Sequence, residues 1–221
     1  MQGLLEMLYK LEQYFKAISG MDHFSFQPSG GAQGAYTGAS IVRAYHASRG
    51  DTERTEVITT MFSHPCDAAA PDTAGFKVIT LMPDEGGYPD LDAMRAALSE
   101  KTAAIFITNP EDTGIYNPRI QQYVDAAHDA GALCYYDQAN ANGMLGIARA
   151  REAGFDLCHF NLHKTFSIPH GCMGGSVGAV GLTDRLAAFP PVPRVEYDGE
   201  KYYLDYDAPE SIGKVRSFLG N

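Results

Sequence analysis

Residues 134–175 read CYYDQANANGMLGIARAREAGFDLCHFNLHKTFSIPHGCMGG, and this stretch decides the fold. An apolar run from Cys134 delivers Asp137, and a second run, Phe155 to Phe160, delivers His163 and Lys164 into a Gly-rich loop. Between them lies a connection with a brief helical piece. In an open α/β sheet, ligands collect outside the carboxyl ends of strands, so neighbouring strands would turn a carboxylate and an amine into one crevice. A lysine amine forms Schiff bases with carbonyl cofactors, and an aspartate can keep the ring nitrogen of pyridoxal phosphate protonated. Taken singly, Asp137 is equally a turn cap and Lys164 a solvated charge.

Working outward, the chain alternates strand and helix, the pattern of a mostly parallel sheet covered on its faces. Apolar or β-branched runs predict strands at Glu56 to Thr60, Lys77 to Leu81 and Ala103 to Thr108, the last ending in NPEDTG. Leu4, Leu5, Leu8, Leu11, Tyr14, Phe15 and Ile18 recur at helical spacing and Gly20 closes the pattern. Helices are also predicted from Leu91 to Leu98, with Asp90 as N-cap, and from Ile120 to Ala130. A strand from His23 to Gln27 runs into PSGGAQGAYTGAS and a helix through Ile41, Val42, Tyr45 and His46. Strand, Gly-rich turn and helix N-terminus make a phosphate cradle, with Ser29, Gly30, Gly31, Ala32 and Gln33 as its candidates. The same pattern also serves as an ordinary tight turn, and it is neither G-x-G-x-x-G nor a Walker loop. His64, just past a strand end, could lie over a planar ring or move a proton near neutral pH.

Composition sets the outer bounds. The 221 residues can bury a sizeable core. A net charge of −10, with no Lys/Arg block, argues against nucleic acid as a partner. No apolar run approaches the ~20 residues of a membrane span and the first residues do not resemble a secretory signal, so a cytoplasmic protein is expected. Cys66, Cys134, Cys158 and Cys172 lack C-x-x-C spacing, which indicates neither a disulfide framework nor a metal site. After the Gly-rich loop, Ser176 to Leu182 is small and apolar, and Arg185 to Phe189 reads as a short helix. The tail from residue 192 turns Pro-, Tyr- and charge-rich with one helical start at Ser211, and reads as a connector.

The segments QPSGGAQG, RAYHASRGD, RTEVI, AGFKV, FITNP, YYDQANAN, FDLCHFNLHKTFSIPHG and YYLDYDAPESIGKVRSFLGN resemble the pyridoxal-phosphate subunit of the glycine cleavage system, P-protein, in its two-subunit bacterial form (subunit 2). The resemblance implies a fold-type-I, aspartate aminotransferase-like α/β large domain over residues 1–191, a connector over 192–221, and further family sequence on either side. It implies pyridoxal 5'-phosphate as cofactor, with Lys164 as Schiff-base lysine and Asp137 as partner of the ring nitrogen. His64 would stack on the ring, and His163 precedes the lysine as in the family pattern. Ser29 to Gln33 would hold the phosphate, with Ala139 and Asn109 completing the pocket. It further implies glycine decarboxylation, transfer of the aminomethyl group to lipoylated H-protein, and a hetero-oligomer with P-protein subunit 1.

The chain departs from that pattern in places. After His64 the family continues G-T-N-P, where this chain has Pro65, Cys66, Asp67 and Ala68. Ala35 replaces a glutamate, Asp112 a threonine and Gln138 a glycine, and Cys172 and Met173 interrupt a glycine run. These changes leave a second expectation open, a truncated or divergent relative that binds cofactor or partner subunits without efficient turnover. A third is another fold-type-I lyase, such as a desulfurase using Cys172.

Overall fold

The computed structural model describes residues 1–168 and 175–216. Elements run in the order α1 (Gln2–Ser19), β1 (His23–Ser25), α2 (Gly31–Ser48), β2 (Glu56–Thr60), α3 (Cys66–Thr73), β3 (Lys77–Leu81), α4 (Leu91–Ala97) and β4 (Thr102–Thr108). They continue with α5 (Ile120–Asp129), β5 (Leu133–Asp137), β6 (Leu157–Asn161), α6 (Leu162–Thr165), β7 (Gly178–Leu182), a 3₁₀ turn at Asp184–Leu186, β8 (Arg194–Tyr197) and β9 (Tyr202–Asp205).

Seven strands form one sheet in the order β1-β7-β6-β5-β4-β2-β3. β7 runs antiparallel to both β6 and β1, and the remaining pairs are parallel. The loops after β1, β2, β4, β5 and β6 therefore leave the same edge of the sheet. Side chains alternate along each strand, and in the central strands β4, β5 and β6 both sets are buried. Ile58, Ile105, Cys134, Tyr136, Cys158 and Phe160 pack with Phe15 of α1, Met94 of α4 and Tyr123 and Val124 of α5. Val57, Ala104, Phe106, Leu133, Tyr135 and Leu157 face Ala39, Ile41 and Val42 of α2 and Ala70 of α3. Burial on both faces is what makes the central strands read as continuous apolar runs.

Glycine allows α2 to lie close on the sheet. A Cβ on Gly34 would come within 3.3 Å of the His159 ring, and one on Gly38 within 2.4 Å of Tyr135. Gly20 ends α1 in the left-handed region (φ 74°), its N–H bonded to the Lys16 carbonyl.

Several boundaries differ from the sequence reading. The second strand of the opening stretch starts at Leu157. Asp156 just before it is a bracket, its carboxylate accepting from the Cys134 N–H and facing His128 Nε2, both at 2.8 Å. Lys164 sits on the single helical turn α6 at the start of the loop. Helix α3 has no counterpart in the prediction, because Pro65 and Pro71 flank and interrupt an otherwise featureless alanine run. The tail is a hairpin, β8–β9, laid on α1: Tyr9 meets Tyr202 at 5.5 Å between ring centroids, and Gln2 exchanges two hydrogen bonds with the Tyr202 backbone. Through residue 216, no helix forms at Ser211. Among the described residues no helix is long and apolar enough to cross a membrane.

Candidate functional site

A cavity of about 270 Å³ opens at the carboxyl edge of β4 and β5. Its walls include Lys164, Asp137, His64, Ala139, Asn109 and Thr108. β5 pairs with β4 and β6, so the ends that carry Asn109, Asp137 and, through α6, Lys164 are adjacent. The two groups foreseen on neighbouring strand ends do share a crevice.

Asp137 is buried at the cavity floor, 2% exposed. Its Oδ1 accepts the N–H of Ala139 (2.8 Å), and the Cys66 thiol points at Oδ2 (3.7 Å). The His159 ring, fully buried on β6, brings Nε2 within 3.5 Å of Oδ1. Burial holds His159 below its ordinary value, so the ring is neutral near pH 7. The Tyr135 hydroxyl meets its Nδ1, and its buried Nε2 makes no hydrogen bond among the described residues. Lys164 is exposed to the cavity and forms no ion pair among the described residues. His64 Nδ1 accepts the Cys66 N–H (3.1 Å), fixing the ring over the start of α3. Burial pushes the Cys66 thiol far up, next to Asp67 and Asp137.

The sequence reading missed Glu111 and Asp67. Glu111 lines the cavity with Asp112. It is buried, accepts the Thr60 hydroxyl, and is raised above the usual carboxylate range by burial. Asp67 lies behind the wall, fully buried, and accepts the Thr108 hydroxyl at 2.8 Å. Glu111 stands in a loop and Asp67 in the first turn of a short helix, where a carboxylate looks like ordinary surface charge, and only the fold buries them.

Other expected residues lie apart from this cavity. His163 is on α6 but is not among the cavity's walls. Ser29, Gly30 and Gly31 form the turn into α2, closely packed: a Cβ on Gly31 would meet Asn161 Nδ2 at 2.6 Å. Ala32 and Gln33 line a separate depression beside α3, with Cys66 on its wall. The Ser29 N–H and O–H both donate to Gln33 Oε1 (2.6 and 2.8 Å), while Gln33 Nε2 donates to the Val215 carbonyl (2.7 Å). The loop's best donors thus close on the protein itself. Cys172 lies outside the described residues.

The chain is similar to known proteins. The probable glycine dehydrogenase (decarboxylating) subunit 2 of Pyrococcus horikoshii is 47% identical over the whole chain, and that of Thermococcus kodakarensis 49%. The chain spans 44% of the length of each. The crystal structure of a glycine decarboxylase (P-protein) of the glycine cleavage system, inhibitor-bound, superposes with a TM-score of 0.77 at 20% identity, over 94% of this chain and 46% of that one. That likeness establishes the fold-type-I α/β architecture. The aminotransferase class-V family matches residues 33–190, which runs from the first turn of α2 past the end of β7 and takes in every wall of the cavity, and the chain belongs to that family.

Proposed function

We propose that this chain carries the pyridoxal-phosphate site of a glycine decarboxylase that acts in the cytoplasm. It would hand the aminomethyl group of glycine to the lipoyl arm of H-protein, together with a P-protein subunit 1. The observation that carries this reading is the convergence of Lys164, Asp137 and His64 on one 270 Å³ cavity at the strand ends. Relatives that share close to half of the residues bear the corresponding name. In this reading residues 1–191 are the cofactor-binding domain, and the hairpin beyond them leads toward the part of the relatives this chain does not span.

The residues fit the group. Lys164 offers an exposed amine for an aldehyde carbon. Asp137 is fixed by the Ala139 N–H so that its second oxygen is available to a protonated ring nitrogen. His64 offers a flat face whose orientation the Cys66 N–H sets. Ser29 and Gln33 would hold a phosphate only after the Gln33 side chain turns away from Ser29. When bound, pyridoxal phosphate supplies a ring that accepts the electron pair left by the departing carboxyl group.

The test is glycine-dependent exchange of labelled bicarbonate by the reconstituted chain with subunit 1 and lipoylated H-protein. Exchange that vanishes in Lys164→Ala is the expected result, and exchange that persists in that variant refutes it. Glu111 and Asp112 in the cavity wall favour one second reading, cofactor binding without efficient turnover, because carboxylates there oppose anionic groups. It predicts cofactor uptake with no exchange.

A further inference from the structure

Asp67, the second residue of α3, is 0% exposed and forms no ion pair among the described residues. Its surroundings fix which oxygen is satisfied. Thr108 Oγ1 accepts the His64 N–H at 3.2 Å and gives its own hydrogen to Asp67 Oδ2 at 2.8 Å. Asp67 Oδ1 is buried without a hydrogen-bond partner. Thr108 is also the register partner of Asp137 on the adjacent strand, and Cys66, next to Asp67 in the chain, points its thiol at Asp137 Oδ2. Two carboxyl groups therefore meet where α3, β4 and β5 join. Two bare carboxylates in such a place, one with an orphaned oxygen, would each oppose burial of the other. A single hydrogen on Asp67 Oδ1 removes both penalties.

We propose that Asp67 is a positioning residue that shares one proton with Asp137, holding it and offering it to that carboxylate, so that the pair presents a single negative charge to the cavity. This rests on the reading of Asp137 as partner of a ring nitrogen and says how its charge is kept. Burial first, then the Asp137 charge, hold Asp67 well above the usual carboxylate range. The groups that face the pair are Asp112 and His64 from the loops, Cys66 on α3, Tyr135 on β5, His159 on β6 and Lys164 on α6. Arg43 of α2 turns instead to the Ala74 carbonyl at the far end of α3 (2.7 Å). The resembling pattern has asparagine at this position, and its amide would offer a donor in the same place as a protonated carboxyl. The departure at Asp67 thus keeps the donor but makes it titratable.

The experiment is a carbon-13 titration of side-chain carboxyl groups in the full chain without cofactor, with Asp67 assigned by its loss in Asp67→Asn. The Asp67 signal should stay protonated through neutral pH, far above the ordinary value of about 3.9. Its midpoint should fall in Asp137→Asn. An Asp67 midpoint near the ordinary value overturns the proposal, as does a midpoint that Asp137→Asn leaves unmoved, since burial alone would then hold the proton. Stability gives an independent readout. A carboxyl whose folded value is raised adds stability that is complete below its unfolded value and is lost as pH climbs through the folded midpoint. Asp67→Asn should remove that decline, lowering the linked uptake by about one proton; an unchanged slope contradicts proton sharing. Neither readout needs cofactor, so both stand or fall separately from covalent capture at Lys164.

Discussion

Replacing Gly38 by valine measures how closely α2 lies on the sheet that positions the cavity. A Cβ at this position sits 2.4 Å from Tyr135 Cε2 and 2.7 Å from Cδ2. Carbon atoms in contact prefer about 3.5–4.0 Å, so the helix or the ring must move by roughly 1 Å before the valine methyl groups are counted. The ring has little room to yield, being stacked on Phe106 at 4.2 Å between centroids and tied through its hydroxyl to His159. Overpacking of this kind costs about 1–3 kcal/mol, against which valine's better helix propensity returns only a few tenths. The net loss should be about 1–3 kcal/mol, which at this chain length lowers Tm by about 2–4 °C per kcal/mol. Urea unfolding of the wild type and Gly38→Val, with Gly3→Val as the control, provides the assay. Gly3 has nothing within 4 Å of its Cβ position, so the control should stay within about 0.5 kcal/mol. A Gly38→Val protein as stable as that control would refute the close packing of α2 on β5.

Other outcomes follow from single groups. Asp90 Oδ1 accepts the N–H groups of Asp92 and Ala93, both at 2.9 Å, at the start of α4. Asp90→Ala should therefore lose about 0.5–2 kcal/mol in urea unfolding, and Asp90→Asn should recover most of it. His46 is buried, bonds the Ala103 carbonyl at 2.9 Å, and is held below its ordinary value by desolvation. A base depressed in the folded state gives stability that is present above about pH 6.5 and lost as pH falls toward the folded value, at up to about 1.4 kcal/mol per pH unit. His46→Gln should flatten that acid limb, and an unchanged pH profile would show that the ring titrates alike in the folded and unfolded chain.

The central parallel strands were legible because strands buried on both faces leave an unbroken apolar record; Glu56–Thr60 and the half-exposed edge strand Lys77–Leu81, marked by β-branched residues, also match residue for residue. The pairing of Asp137 with Lys164 was legible because both follow such runs. What stayed hidden depends on contacts far apart in sequence. The hairpin β8–β9 is held by Tyr9 and Gln2 at the other end of the chain. Gln33, foreseen as a phosphate ligand, is turned toward Ser29 and toward the Val215 carbonyl of the tail. Asp67 stood out only as a departure from a motif, because nothing in a single sequence says that α3 carries it under Thr108 and beside Asp137.

Covalent capture of the cofactor decides whether Lys164 is the Schiff-base lysine. The full chain is mixed with pyridoxal phosphate, its visible absorbance recorded, the adduct reduced with borohydride and the modified peptide identified by mass. The expected result is a visible band that borohydride abolishes and a label on the peptide containing Lys164, both absent from Lys164→Ala. A label confined to another lysine, or a wild-type spectrum indistinguishable from that of Lys164→Ala, would contradict it.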